Sequence, residues 1–286
     1  MMRAFLFSFL FSVVSQAQIF TPTIASGVGG AGRAAIDGGE SSFLNPAAVA
    51  HLRDYYFGAH YNRGSHPMEG DYTRYAVQLA DGTSGNLIRG AAHYYKQSID
   101  FPSGAGSRTD QDIQVGVAGF AMPRVAMGLS AHYLMQSGQG RDDTQLNGNF
   151  GVIFSPLDSL GLAFVAYDIA PVSPDVMAGR RLIPTYALGA QYVLSEFAHF
   201  RLDVVQPDIQ AFADRRQNVE GGLESFFANS FVFRLGYGAM EVQNQSLVTA
   251  SLGYKGPRLS FDYTFQKDVR SEGGVRHFVD LWMPLR

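Results

Sequence analysis

The chain has 286 residues and a formal net charge of -3, so its charge gives no reason to expect a nucleic-acid partner. Because it contains no cysteine, disulfide bonds and thiolate metal ligands are excluded. Its 22 phenylalanines and 14 tyrosines favour strands, and its 32 glycines supply turns. Two protein classes fit this composition: a soluble β-protein and an outer-membrane β-barrel.

The first 17 residues predict a secretory signal peptide. Arg3 precedes an apolar run from Ala4 to Val14, and Ser15-Gln16-Ala17 offers a cleavage site of the small-x-small type. The run spans about eleven residues, whereas a membrane-spanning helix needs about 20. We therefore expect residues 1–17 to be a signal peptide, with a mature chain that starts at Gln18.

The glycine-rich stretch GVGGAG at residues 27–32 matches the G-x-G-x-x-G pattern of dinucleotide-binding loops. Such a loop follows a buried strand and opens a helix. Pro22 interrupts the strand, and Gly38, Gly39 and Pro46 interrupt the helix. The surroundings therefore do not support a nucleotide site, and we expect the glycines to allow tight turns and close contact with a neighbouring wall.

From Asp54 onward, segments of about ten residues alternate apolar with polar or small residues, as the strands of outer-membrane barrels do. In one clear case Leu259, Phe261, Tyr263 and Phe265 share a face. A period of two indicates strands with unlike faces. Fourteen strands are predicted, at residues 54–63, 71–80, 88–97, 110–121, 124–135, 146–155, 159–169, 183–194, 198–206, 217–227, 230–238, 246–255, 257–266 and 275–285.

The connections between these strands favour a transmembrane barrel over a soluble β-sandwich. Those after even-numbered strands are mostly very short, and those after odd-numbered strands are longer and polar, such as residues 137–145. Outer-membrane barrels have short periplasmic turns and longer outer loops. We therefore predict an all-β protein, an antiparallel outer-membrane barrel of about 14 strands over residues 54–286, with its apolar face toward lipid and both termini periplasmic.

The inward face mixes small residues with charges of both signs. Fourteen strands enclose more space than such side chains fill. We therefore predict that residues 18–53 form a plug, or hatch, in the lumen; the alternative is a disordered periplasmic tail. Arg33, Asp37 and Glu40 would pair with the lumen charges. Those inward-facing charges are predicted to be Arg89, Arg124, Arg201, Asp203, Glu220, Glu224, Arg234, Arg258, Asp262, Arg276 and Asp280.

The segment before the first strand resembles the start of the FadL-like superfamily of outer-membrane proteins. It carries Asn45-Pro46-Ala47 after the Gly/Ala-rich residues 29–34 and the acidic and serine residues 37–42. This superfamily includes long-chain fatty acid transporters and the PorV- and PorQ-type barrels of type IX secretion. The resemblance covers about 25 residues, and it implies a fourteen-stranded barrel with an N-terminal hatch in its lumen.

On these grounds we expect passive transport of a small hydrophobic or amphipathic compound, gated by the hatch. Phe43, Leu44 and Val49 are the residues predicted to contact that ligand. The alternative function is a partner-binding barrel of the PorV type, which would hold or shuttle a secreted or periplasmic protein. Short outer loops favour this alternative because they leave the rim open to a partner. Outer-membrane lipid is the remaining expected partner.

The sequence does not predict an enzyme. It contains seven histidines, of which His60, His93 and His132 fall on the predicted lumen face of the first, third and fifth strands. Catalysis needs a nucleophile or base placed beside its partners, and no spacing in the chain indicates one. No acidic spacing supports a histidine metal site either. We therefore expect no catalytic residues, no metal and no cofactor.

Overall fold

The computed structural model describes residues 20–35, 40–66, 70–83, 86–104, 106–207, 216–228, 230–241, 243–270 and 274–285. Fourteen strands pair antiparallel in chain order, and pairing of the first strand with the last closes the barrel. The strands are β1 Tyr55–His66, β2 Gly70–Asp81, β3 Arg89–Asp100, β4 Ser107–Met122, β5 Val125–Gly138, β6 Arg141–Leu157, β7 Leu160–Tyr167, β8 Thr185–Ser195, β9 Ala198–Pro207, β10 Asn218–Phe227, β11 Phe231–Met240, β12 Gln245–Lys255, β13 Ser260–Asp268 and β14 Val275–Leu285. The predicted fold class and strand number are therefore confirmed.

The two faces of each strand differ as the sequence predicts. Along β11, Phe233 and Leu235 are 41% and 49% exposed, whereas Val232 and Arg234 between and beside them are buried. Val115 in β4 is likewise exposed on the outside of the barrel. Since successive side chains of a strand point to opposite faces, one apolar face points outward all around the barrel and the polar face points into the lumen.

The predicted alternation of short and long connections is wrong in part. Between β5 and β6 we predicted a polar loop at 137–145, but Gly138 pairs with Arg141 and leaves a two-residue turn, Gln139-Gly140. Both turn residues have positive φ, 54° and 76°, as a tight hairpin turn requires. Apolar alternation does not predict these strand ends, because the residues there are polar although backbone pairing continues through them. The β1–β2 and β2–β3 connections, residues 67–69 and 82–88, also depart from the pattern.

We call the end of the barrel that carries Tyr55 and Leu285 the terminal end, and the opposite end the loop end. The longest connection, residues 168–184 between β7 and β8, lies at the loop end. It contains a 3₁₀ helix, Ala178–Arg180, and another, Pro102–Gly104, lies between β3 and β4. Within the described ranges, no helix has both the length and the apolar content needed to cross a membrane.

The described residues before β1, namely 20–35 and 40–54, are called the inner segment. It contains α1 (Thr23–Gly27), α2 (Ser41–Leu44) and a 3₁₀ helix, Pro46–His51. Helix α1 contacts β11 to β14, and the 3₁₀ helix contacts β3 to β6. The segment therefore touches inward faces on opposite sides of the barrel. The predicted signal peptide, Gln18 and Asp37 lie outside the described residues.

Small inward side chains make room for the 3₁₀ helix near the terminal end. Ala47 and Val49 of that helix are buried against Ile153 of β6 in one apolar cluster. The remaining wall of this cluster consists mostly of inward-facing alanines on neighbouring strands, Ala80, Ala91, Ala118, Ala126 and Ala163. Because an alanine keeps the strand backbone close, the segment packs directly onto the barrel wall.

The outward face of β11 predicts a position-dependent cost for charge. We expect Leu235→Arg, near the middle of its strand, to lower the free energy of unfolding in a lipid bilayer by about 2–4 kcal/mol. Leu157→Arg, an equally outward residue at the last position of β6, is the matched control and should cost only about 0–1 kcal/mol. Urea titration followed by fluorescence of Trp282, the only tryptophan, measures both. Equal costs would contradict the membrane-spanning orientation.

Candidate functional site

The Asn45-Pro46-Ala47 motif begins the 3₁₀ helix and joins two parts of the inner segment. The Asn45 side chain accepts a hydrogen bond from the Ala47 amide at 2.9 Å, which is an N-cap. Its amide group donates to the Arg33 carbonyl oxygen at 2.9 Å. A Cβ on Gly151 of β6 would lie only 2.0 Å from Asn45 Oδ1, so the barrel wall is shaped to this side chain. The motif thus determines where the 3₁₀ helix begins and where it packs against the barrel wall.

The glycines of residues 27–32 are explained by contact with the wall rather than by a nucleotide. Gly29 has a φ of +78°, and a Cβ there would lie 2.3 Å from the Tyr237 carbonyl oxygen. The facing wall residue is also a glycine without room for a side chain, since a Cβ on Gly236 would lie 2.2 Å from the Gly29 nitrogen. Backbone meets backbone at this point, and only glycine allows that approach.

Arg33 is the strongest polar attachment of the inner segment. Its Nη1 lies 2.9 Å from Asp203 Oδ2 and 2.6 Å from Glu220 Oε2, and the side chains of all three are nearly inaccessible. Its Nε donates to the Tyr167 hydroxyl at 3.0 Å. Asp203 also accepts from the backbone amides of Gly32 and Arg33 at 2.8 and 3.0 Å. One segment residue is therefore tied to β7, β9 and β10.

A second ionic network links strands of the wall to each other. Glu224 accepts from Arg201 at 3.1 Å and also from Arg234. Arg234 in turn donates to Asp262 at 2.6 Å. All four side chains are buried, so each charge depends on its partners. These predicted lumen charges connect β9, β10, β11 and β13 across the barrel interior.

A third polar contact holds the first helix of the inner segment. Glu40 accepts from the backbone amides of Ile24 and Ala25 at 2.9 and 3.2 Å and thereby caps α1. Thr23 donates its hydroxyl hydrogen to Asp280 of β14. Burial, and next the neighbouring Asp280, raise the pKa of Glu40 well above its ordinary value. Two acidic groups thus lie close together in a buried place.

Arg89 and Arg276 lie at opposite ends of the lumen. Arg89 donates to the Ala50 carbonyl oxygen of the 3₁₀ helix near the terminal end. Arg276 donates to Gln245 at 2.9 Å near the loop end. Neighbouring His51 is mostly buried, and this burial, followed by the charge of Arg89, lowers its pKa to about 4.

The placement of Arg124 and Arg258 on the lumen face is wrong. Arg124 belongs to the β4–β5 turn, has a φ of 69° and contacts Asp158 in an exposed ion pair. Arg258 is exposed in the connection before β13. The alternation of faces holds only along a paired strand, and both residues fall where pairing has ended. They sit on the rim of the terminal end.

The three residues predicted to contact a ligand do not form one patch. Phe43 is half-buried and packs against Phe20, with ring centroids 4.9 Å apart. Leu44 and Val49 are 2% and 1% exposed, and Val49 belongs to the alanine-lined cluster. Phe43 alone therefore keeps accessible surface.

Two of the lumen histidines meet at Phe43. Its ring stacks on His93 with centroids 4.1 Å apart and meets His60 edge-on at 5.2 Å. His132 lies elsewhere, between Asp112 at 3.2 Å and Asp168 at 3.0 Å. The sequence placed these histidines on one face but gave no signal for their partners.

A small cavity lies between the inner segment and the loop end of the barrel. Its volume is about 90 Å³. Polar side chains dominate its lining, among them Arg33, Arg74, Glu220, Gln266 and Arg276. A dry apolar cavity of about 150 Å³ accommodates benzene. This cavity is smaller and polar, so it suits water better than an aromatic compound.

Comparison with known proteins identifies the fold. No sequence family matches the chain, and no curated protein matches it. Among solved structures, the toluene transporter TbuX of Ralstonia pickettii is similar with a TM-score of 0.73 and 11% identity, over 95% of this chain and all of that chain (100%). The CymD monoaromatic hydrocarbon channel gives 0.71 and 12%, covering 94% and 98% of the two chains. A FadL homologue of Pseudomonas aeruginosa gives 0.71 and 10%, covering 93% and 98%.

The closed fourteen-strand barrel therefore has the fold of the FadL-like outer-membrane barrels. The resemblance predicted from the Asn45-Pro46-Ala47 segment is confirmed at the level of the fold. Identities this low leave the substrate to be argued from the chain's own residues.

The close backbone contact at Gly29 predicts a specific sensitivity. Gly29→Ala adds a methyl group against the Tyr237 carbonyl oxygen at a positive φ. Gly104→Ala is the matched control because Gly104 has a similar φ, +71°, and open space around it. The control should cost about 1–2 kcal/mol from backbone strain alone. Gly29→Ala should cost at least about 1 kcal/mol more, measured by urea unfolding. Equal costs would contradict the contact.

The Arg33 attachment predicts a large loss on truncation. Arg33→Met leaves Asp203 and Glu220 buried without their cation, which should lower the free energy of unfolding by about 3–5 kcal/mol. Arg124→Met, which removes an exposed ion pair at the rim, should leave stability nearly unchanged. Limited proteolysis should cleave the inner segment in Arg33→Met but not in Arg124→Met. Unchanged stability of Arg33→Met would overturn this role.

Proposed function

We propose that this chain is an outer-membrane channel for passive movement of small hydrophobic or amphipathic compounds, and that its inner segment is the hatch that gates it. The fold it shares with a toluene transporter and a monoaromatic hydrocarbon channel supports this function. The outward apolar face supports a membrane location. In this proposal the terminal end is periplasmic and the loop end faces the outside.

The crossing of the lumen by the inner segment carries the proposal. Thr23 bonds to Asp280 of β14, and Gly32 bonds to Asp203 of β9. Asn45 reaches the Val152 carbonyl oxygen of β6 at 3.5 Å. Attachments to separate sides of the wall favour a closed state, and the cavity beside the segment at the loop end is small and polar. A hydrophobic compound would then pass only after the segment shifts.

An aromatic cluster at the start of the inner segment is the best-placed apolar ligand contact. Phe20 packs between Phe43 and Tyr95 of β3, with ring centroids 4.9 and 5.3 Å away. A ligand shifts an equilibrium only by its difference in affinity for the two states. Separation of these rings would uncover apolar surface that a hydrophobic ligand can cover. In this mechanism such a ligand favours the shifted segment.

The partner-binding alternative is less well supported. It depends on short outer loops and an open rim. The β7–β8 connection instead folds back onto the barrel, where buried Arg180 donates to the Gly138 and Arg141 carbonyl oxygens at 2.6 and 3.1 Å. Leu182 in the same connection is buried as well. This side of the loop end is covered by the chain itself.

A reversible disulfide tests the hatch. A Cβ on Gly161 of β7 would lie 3.9 Å from the Cβ of Ala34, within the range of about 3.5–4.5 Å that disulfides use. The chain has no other cysteine, so Ala34→Cys/Gly161→Cys creates one defined bond. We expect the oxidised variant in liposomes to lose at least about nine-tenths of its toluene flux, because the segment cannot move. Reduction should restore that flux.

The reduced double variant is the matched control for strain. It carries the same new contact with the Ala34 carbonyl oxygen, 2.9 Å from the Gly161 Cβ position. Each single cysteine variant controls for oxidation without cross-linking. Equal toluene flux in the oxidised and reduced forms would overturn gating by the inner segment. Absence of toluene flux in the unmodified protein would overturn the transport function itself.

A further inference from the structure

Three buried side chains converge where the barrel closes. His60 of β1 and Asp280 of β14 are directly paired across the seam between the first and last strands. Glu40 reaches the same place from the inner segment. One ligand-type atom from each of the three lies within 4.8 Å of the other two. The chain thus brings together an imidazole and two carboxylates from positions 20 and 220 residues apart in sequence.

The polar atoms of this cluster are incompletely satisfied. His60 is 4% exposed, and neither of its ring nitrogens makes a hydrogen bond. Its Nδ1 lies 2.7 Å from Asp280 Oδ1, in an arrangement without hydrogen-bond geometry. Asp280 Oδ2 is also buried without a partner. Buried polar atoms of native proteins are nearly always paired, so these unpaired atoms are consistent with a site for a ligand that would pair with them.

The charge of the cluster points to a cation. Among the described residues, neither Glu40 nor Asp280 forms an ion pair with a lysine or arginine. The neighbouring lumen acids do have such partners, as Asp262 has Arg234 at 2.6 Å. Burial of two carboxylates without a compensating charge is costly. A proton or a metal ion has to offset that cost.

Aromatic rings surround the imidazole and keep it in place. Trp282, Phe43 and Phe20 meet the His60 ring edge-on, with centroids 4.8, 5.2 and 5.4 Å away. Such a shell excludes water and lowers the local dielectric constant, which strengthens the attraction between an ion and its ligands. The backbone amides of Ile24 and Ala25 orient Glu40 from behind, as second-shell groups do in metal sites.

We propose that Glu40, His60 and Asp280 bind one divalent transition-metal ion of the zinc type. One imidazole and two carboxylates are a ligand set that zinc accepts, with bonds of about 2.0–2.2 Å. A tetrahedral site of that size places ligand atoms about 3.4 Å apart. The three ligand atoms lie within 4.8 Å of one another, so they would have to move closer together to bind the ion. An imidazole ligand favours such an ion over magnesium or calcium.

An ion here joins the two ends of the sheet and the inner segment at one point. Glu40 caps α1, and Asp280 holds Thr23, so the ion would also strengthen the attachment of the first helix. Binding of an ion only to the folded chain stabilises the fold by mass action. Zinc binding at this cluster does not depend on whether the chain transports hydrophobic compounds.

Zinc binding to the full-length folded protein tests the proposal. The detergent-solubilised protein is stripped with a chelator and titrated with zinc chloride alone, with bound metal counted by mass spectrometry. We expect one zinc ion per chain and a higher melting temperature. His60→Asn and Asp280→Asn should each lose the ion or at least about tenfold in affinity. Glu40→Gln should do the same while it keeps an oxygen that can cap α1.

His132→Asn is the matched control. His132 is also buried beside two carboxylates, but both of its ring nitrogens are hydrogen-bonded, to Asp112 at 3.2 Å and to Asp168 at 3.0 Å. This variant should bind zinc like the unmodified protein. Circular dichroism confirms that each variant is folded. The absence of zinc binding to the unmodified protein, or a loss in His132→Asn with none in His60→Asn, would overturn the proposal.

Discussion

The pairing of β1 with β14 is the constraint on which the rest of the structure depends. Eleven residue pairs, from Tyr55–Leu285 to Ser65–Val275, close the sheet, so the barrel has no free edge. A closed sheet satisfies its own backbone groups and can therefore face an apolar solvent on the outside. Closure also creates an interior that side chains of fourteen strands do not fill. The inner segment lies in that interior and contacts its wall on two sides.

The inner segment is held by polar attachments at a few points and by close backbone packing elsewhere. Arg33 lies between Asp203 and Glu220, whereas Gly29 lies directly against the wall at Tyr237. Packing of this kind tolerates little change, and the cavity beside it, among the described residues, is small and polar. The aromatic rings around Phe20 are different, because in the proposed function their surface would become available when the segment moves. In the proposed function, a hydrophobic ligand would favour the shifted segment by binding that state more tightly.

Much of the fold could be predicted from the sequence because one-sided burial leaves a period of two in every strand. This alternation predicts all fourteen strands within a few residues, except where polar residues continue the pairing toward the loop end, as between Gly138 and Arg141. The same reasoning failed at Arg124 and Arg258, where the strand had already ended. Alternation reports which face a residue takes, but it does not report where pairing begins or stops.

The contacts of the candidate site could not be predicted in the same way. The sequence placed Arg33 and the lumen acids on facing surfaces, yet their partners follow from the path of the inner segment. Tyr167 and Arg180 carried no pattern that marks them as anchors. His60 and Asp280 meet only because the barrel closes, and Glu40 joins them only because α1 lies there. Such contacts depend on tertiary geometry across long sequence separations.

Amide hydrogen exchange of residues 20–35 tests the central claim, that this segment closes the lumen and shifts when a hydrophobic compound passes. The protein in bilayer nanodiscs is compared with and without saturating toluene. We expect slow exchange of these amides in the absence of toluene and clearly faster exchange in its presence, with the barrel strands unchanged. Equal protection of residues 20–35 under both conditions would contradict it.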